Sequence, residues 1–153
     1  MARISTKIPK VYRYLFYLTL SLCWCSGVTF WLLHNFGMVE GEFGTEPHWL
    51  QYPALQAHGF AAFVMLMCLG ALFTAHVPAT WPMAKAKKTG LTMLVSVSLS
   101  VLSAYSLYYL VSEDWKVWLG NGHAGLGVVL PLLLFIHIKV ARRNRLRRAV
   151  NYS

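Results

Sequence analysis

Six histidines carry most of the reactive chemistry in this 153-residue chain: His34, His48, His58, His76, His123 and His137. Four of them, His58, His76, His123 and His137, fall in apolar stretches free of Asp, Glu, Lys and Arg. Ionisable side chains in such surroundings are costly to bury and normally face a partner. His58 and His76 are 18 residues apart, about five whole turns of an α-helix, so they share a helix face. His123 and His137 are 14 apart, about 40° short of four turns, and share a face as well. The two spacings define two levels separated by about 21–27 Å along a helix axis. Haem iron takes axial ligands from opposite sides of the macrocycle, imidazole serves as one, and two facing helices can supply one each. The quartet is spaced for two bis-histidine haem b groups, with all four histidines as iron ligands.

The elements that must position these residues are legible from charge. Hydrophobic residues make up 57% of the chain and charged residues only 12%, against roughly 25% charged in an ordinary soluble domain. This composition excludes a disordered chain and argues against a soluble one. Charge is absent between Arg13 and Glu40, between Glu46 and Lys85, between Lys88 and Glu113, and between Lys116 and Lys139. Each gap has room for the roughly 20 residues that cross a hydrocarbon core as a helix, and lipid demands a helix because backbone polar groups must be satisfied internally. The gaps predict helices over 14–36, 53–77, 91–111 and 117–140, followed by a basic tail over 141–153. The expected fold is all-α, an integral membrane up-down four-helix bundle forming a single domain over 1–153. The connection over 37–52 reads as an irregular loop, and the one over 112–116 is short enough to make the last two helices antiparallel neighbours.

Orientation follows from the net charge of +9. Arg3, Lys7, Lys10 and Arg13 precede the first span. Lys85, Lys87 and Lys88 separate the second from the third. Lys139, Arg142, Arg143, Arg145, Arg147 and Arg148 end the chain. With four spans these segments share one side, which the positive-inside rule makes the cytoplasm. The acids Glu40, Glu42, Glu46, Glu113 and Asp114 then face outward. The second and fourth helices both run from outside to inside, so His58 pairs in depth with His123 near the outer surface, and His76 with His137 near the cytoplasmic one. The basic C-terminal run is expected to meet anionic lipid rather than nucleic acid. The first span is too long for a cleaved signal peptide and lacks a small-residue cleavage site. The location expected is a bacterial inner membrane, with multiple spans and both termini cytoplasmic.

A large planar cofactor needs small residues beside it. Gly59, Ala61, Ala62, Gly70 and Ala71 supply them on the second helix, and Gly122, Ala124, Gly125 and Gly127 on the fourth. Close helix packing uses the same residue types. Gly59, Ala62 and Gly127 are the candidates for contact with the cofactor. Cys23, Cys25 and Cys68 read as buried apolar thiols. No Cys-x-x-Cys-His occurs, so covalent haem attachment is not indicated. The spans contain no carboxylate for acid–base hydrolysis, and no phosphate loop or His-Glu-x-x-His helix is present.

The segments His58-Gly59-Phe60-Ala61-Ala62, Gly70-Ala71-Leu72 with His76, Tyr108-Tyr109, and His123-Ala124-Gly125-Leu126-Gly127 with His137 resemble the small four-helix di-haem cytochromes b of bacterial membranes, including uncharacterised membrane proteins of that type. They cover most of 53–139, whereas the first helix matches only in position and hydrophobicity. The resemblance implies two non-covalent haem b groups and transmembrane electron transfer in a respiratory chain. Some such cytochromes take a ligand from the first helix, which makes His34 an alternative to the outer pairing. The expected partners are membrane lipid and a redox protein or larger membrane complex, and no nucleic acid. Quinone is a weaker expectation, near His34, His48 and Glu46, where solvated side chains are the plainer reading. The contrasting function is a haem-free structural subunit or anchor whose histidines bond between helices. A metal transporter using His, Met and Cys ranks behind both.

Overall fold

A computed structural model describes residues 9–81 and 87–150, with the side chains of 75, 79, 80 and 145–150 excepted. Arg3, Lys7, Lys85 and the last three residues lie outside the described residues. The chain divides into two compact units, Met1–Pro82 and Met83–Ser153. Each is built on a pair of antiparallel helices. All four helices are long and apolar enough to cross a membrane, so the chain has the form of a multi-pass helical membrane protein.

In the first unit, α1 spans Lys10–Phe36. It ends where the Gly37 N–H donates to the Leu33 carbonyl at 2.9 Å. Its buried residues are Phe16, Thr19, Cys23 and Ser26, and their steps of three and four make one seam along the helix. The two hydroxyls on that seam cost little to bury. Thr19 donates to the Leu15 and Phe16 carbonyls, and Ser26 to those of Leu22 and Cys23, so each is satisfied inside its own helix. α2 spans Gln51–Thr80. Ala54, Ala61 and Cys68 are its buried residues, a seven-residue repeat of small side chains. Small side chains let two backbones approach closely where lipid gives no hydrophobic drive to association. α1 and α2 pack along these seams.

Between them, β1 (Val39–Gly41) and β2 (Gly44–Glu46) form an exposed antiparallel hairpin with Glu40 opposite Thr45. Gly44 has φ of 120°, a conformation that side-chain-bearing residues rarely adopt. The connection expected to be irregular therefore holds a small hairpin, the one departure from an all-α chain among the described residues. Strands of three residues are too short to show a period of two.

In the second unit, α3 spans Lys87–Tyr109 and α4 spans Glu113–Val150. Their connection is only 110–112, shorter than expected, because the helix starts at the acids Glu113 and Asp114. Negative charge favours a helix N-terminus through the backbone dipole. At its other end α4 continues through the basic run that was expected to be a tail. Lys139, Arg142 and Arg143 end the apolar span without ending the helix, since arginine and lysine are good helix formers and cations favour a C-terminal end. The 38 residues of α4 extend about 57 Å, well beyond the ~30 Å of a hydrocarbon core.

Large apolar side chains cover the outward faces of both pairs: Phe60, Phe63, Leu102, Leu132 and Phe135 are all exposed. An apolar surface of this extent suits lipid. The cysteines depart from expectation in one respect. Cys23 and Cys68 are buried, but Cys25 is exposed. Two residues along a helix is a large rotation, so Cys25 leaves the seam that Cys23 occupies. Toward a small membrane-permeant maleimide in mild detergent, Cys25 is expected to react faster than Cys23 or Cys68, which the helix seam covers. Mass spectrometry of the modified peptides reads the rates, and equal rates would place the α1 seam elsewhere.

Candidate functional site

His58 stands on the α2 seam between Ala54 and Ala61. Its Nδ1 lies 2.8 Å from the Cys23 carbonyl oxygen and 3.6 Å from the Cys23 Sγ. A carbonyl only accepts, so Nδ1 carries the proton and donates it. The neutral ring then has its lone pair on Nε2. The α1 backbone comes this close because residue 27 is glycine. A Cβ there would lie 2.7 Å from the imidazole Nδ1 and 2.8 Å from Cε1.

His123 and His137 bond from α4 to α3. His123 Nδ1 lies 2.9 Å from Ser103 Oγ. That hydroxyl also donates to the Ser100 carbonyl at 3.0 Å. If its single proton goes to that carbonyl, the hydroxyl accepts from the imidazole and His123 carries its proton on Nδ1. His137 Nδ1 lies 2.9 Å from Thr89 Oγ1, and a Cβ at Gly90 would stand 3.5 Å from the His137 Cε1. His76 is half-buried on α2.

The orientation of Nδ1 bears directly on ligation. Histidines that hold metals usually donate the remote ring N–H to a carbonyl, carboxylate or other acceptor, which fixes the tautomer and raises ligand basicity. His58 has that arrangement, and His123 has a hydroxyl oxygen at the same ring position. An imidazole held in this way presents Nε2 as its metal-binding atom. Among the described residues no group of three or more His, Cys, Asp or Glu side chains could hold a bare metal ion.

The small residues divide into two kinds. Gly27 and Gly90 abut histidine rings. At Gly59, Gly70, Gly122, Gly125 and Gly127 an added Cβ meets no described atom within 4 Å. Gly59 is exposed, whereas Ala62 and Gly127 are half-buried. Within each helix pair, close contact of helix with helix therefore does not account for these five glycines among the described residues. His34, His48 and Glu46 are each engaged separately. His34 is exposed, stacks on Phe30 and lies 3.2 Å from the Gln51 amide nitrogen through Nδ1. His48 Nδ1 accepts the Leu50 N–H at 3.1 Å, shaping the entry into α2. Glu46 lies in β2 with its carboxylate over Gly41. An open apolar groove of about 410 Å³, lined by Val111, Trp115, Trp118 and Leu119, lies where α3 turns into α4.

Thr89, Ser103, Gly27 and Gly90 are the residues that the sequence reading missed. One signal for two of them was present. Thr89 and Ser103 are 14 residues apart, as are His123 and His137, and in an antiparallel pair equal spacings meet. No family model, curated protein or solved structure matches the chain.

Proposed function

We propose that this chain is a membrane electron-transfer protein of the di-haem cytochrome b type, an up-down four-helix bundle in a bacterial inner membrane with both termini cytoplasmic. His58 and His123 are assigned to one haem b, and His76 and His137 to the other. The observation that carries the reading is the engagement of the imidazoles through Nδ1 at His58, His123 and His137, with the carbonyl acceptor at His58 leaving that ring's lone pair on Nε2. When bound, haem supplies one-electron chemistry at its iron. The residues of the chain orient the ligands, exclude water along apolar helices, and tune iron through the Nδ1 partners. Gly59, Ala62 and Gly127 are assigned to the rims of the macrocycles. Electrons would pass between an outer partner and a quinone or cytoplasmic-side partner, the acids Glu40, Glu42 and Glu46 on and beside the hairpin favouring a basic soluble carrier through charge complementarity.

The test is a pyridine-haemochrome measurement on full-length protein purified from a haem-sufficient membrane. Two haems per chain are expected, with a reduced haem b spectrum after dithionite. A stable, monodisperse protein without haem would overturn the reading. It would support the alternative of a haem-free structural subunit of a larger respiratory assembly. The same Nδ1 bonds favour that alternative, because they tie helix to helix whether or not Nε2 binds iron.

A further inference from the structure

Along α3 and α4, two contacts of one kind recur. Thr89 meets His137 and Ser103 meets His123, each through a hydroxyl oxygen 2.9 Å from Nδ1. The residue numbers of each contact sum to 226 (89 + 137 and 103 + 123), as required when two antiparallel helices keep one register. The spacing of 14 residues on both helices amounts to about 21 Å of rise. Midway between the contacts stands Leu130, a buried residue of α4, and its number and that of Ser96 have the same sum. The repeat therefore follows the packing seam of the helix pair.

We infer that Thr89 and Ser103 are paired positioning residues, a two-rung hydroxyl ladder that holds both α4 imidazoles in the Nδ1–H tautomer. This deepens the haem reading, and its consequence for iron rests on that reading. At the Ser103 rung the hydroxyl oxygen lies 2.9 Å from the imidazole Nδ1 and 3.0 Å from the Ser100 carbonyl, so it is placed to give its own proton to the carbonyl and accept one from the imidazole. The threonine rung brings together the same two kinds of atom in the same register. Thr89 and Ser103 are both half-buried, where losing a hydrogen-bond acceptor costs more than it does in water. An imidazole whose Nδ1–H is bonded to an acceptor is a more basic ligand. It stabilises the oxidised iron, so losing the acceptor raises the reduction potential of the haem it holds.

The experiment compares the full-length chain with Ser103→Ala, Ser103→Thr, Thr89→Val and Thr89→Ser. Haemin is titrated into each, the potential of each haem is measured, and ¹⁵N shifts of the imidazole nitrogens report the tautomers. Ser103→Ala and Thr89→Val are each expected to weaken one haem by about tenfold or more and to raise the potential of that haem alone. Ser103→Thr and Thr89→Ser, which keep the hydroxyl, are expected to restore both. Unchanged affinity and potential in both hydroxyl-free variants would overturn the ladder. If the unmodified chain takes up no haemin, the haem reading fails and the tautomers decide the ladder separately. Nδ1–H at both His123 and His137 upholds it, and Nε2–H at either overturns it.

Discussion

Substituting alanine for His123 is expected to leave one haem per chain instead of two, and substituting His58 to remove the same one. Each haem in the proposed arrangement depends on one imidazole from α2 and one from α4. Second-row partners of a metal ligand are worth about 10- to 100-fold in affinity, and an axial ligand itself is worth at least as much. The double substitutions carry the sharper information, because residues acting through one bound group are non-additive. His58→Ala with His123→Ala should retain one haem, since both changes fall on one site. His58→Ala with His76→Ala should retain none. Pyridine haemochrome on the purified variants reads the stoichiometry. If His58→Ala alone keeps two haems and His34→Ala loses one, the outer ligand comes from α1. If the His58 and His123 double variant loses both haems, the pairing by depth is wrong.

The second large effect concerns the approach of α1 to His58, and it holds whether or not haem binds. Gly27→Ala places a methyl group where it would lie 2.7 Å from Nδ1 and 2.8 Å from Cε1 of the imidazole. The neighbouring atoms belong to a ring held on a backbone carbonyl, not to the end of a flexible chain. Either the ring turns and gives up that hydrogen bond, or the two helices separate. Overpacking of this kind costs about 1–3 kcal/mol, and a lost buried hydrogen bond adds about 1 kcal/mol. Gly120→Ala is the control, because nothing lies within 4 Å of a Cβ there and alanine favours the helix by up to ~1 kcal/mol. Reversible denaturation in mixed detergent micelles measures both. Gly27→Ala should be less stable than the unmodified chain, and Gly120→Ala at least as stable. Equal stability of the two variants would mean that His58 does not lie against α1 at residue 27.

The spans were legible because lipid imposes a rule that charge reveals. A backbone that cannot bond to water must be helical, and the four charge-free gaps mark where that holds. The same rule says little about helix ends. Basic residues from 139 onward mark the end of the apolar span, but α4 runs to Val150, since charge is compatible with helix once it reaches water. The hairpin at 39–46 was illegible for a different reason, because six paired residues with both faces exposed leave no hydrophobic alternation to read.

The histidines show the same division more sharply. Composition and spacing alone established that His58 and His76 share a face of α2, and that His123 and His137 share one of α4, because helical period is a local property of the chain. Which ring nitrogen keeps the proton is not local. It depends on the Cys23 carbonyl across from His58 and the Ser103 hydroxyl across from His123, and so on the register of one helix against another. Gly27 likewise reads in sequence as one small residue among eleven glycines. Packing sets it against the His58 imidazole, one turn along α1 from the Cys23 carbonyl that the same ring meets. The sequence by itself determined the spans and the faces, and tertiary register decided the tautomers and the contacts, since a hydrogen bond exists only where two separate segments come within about 3 Å.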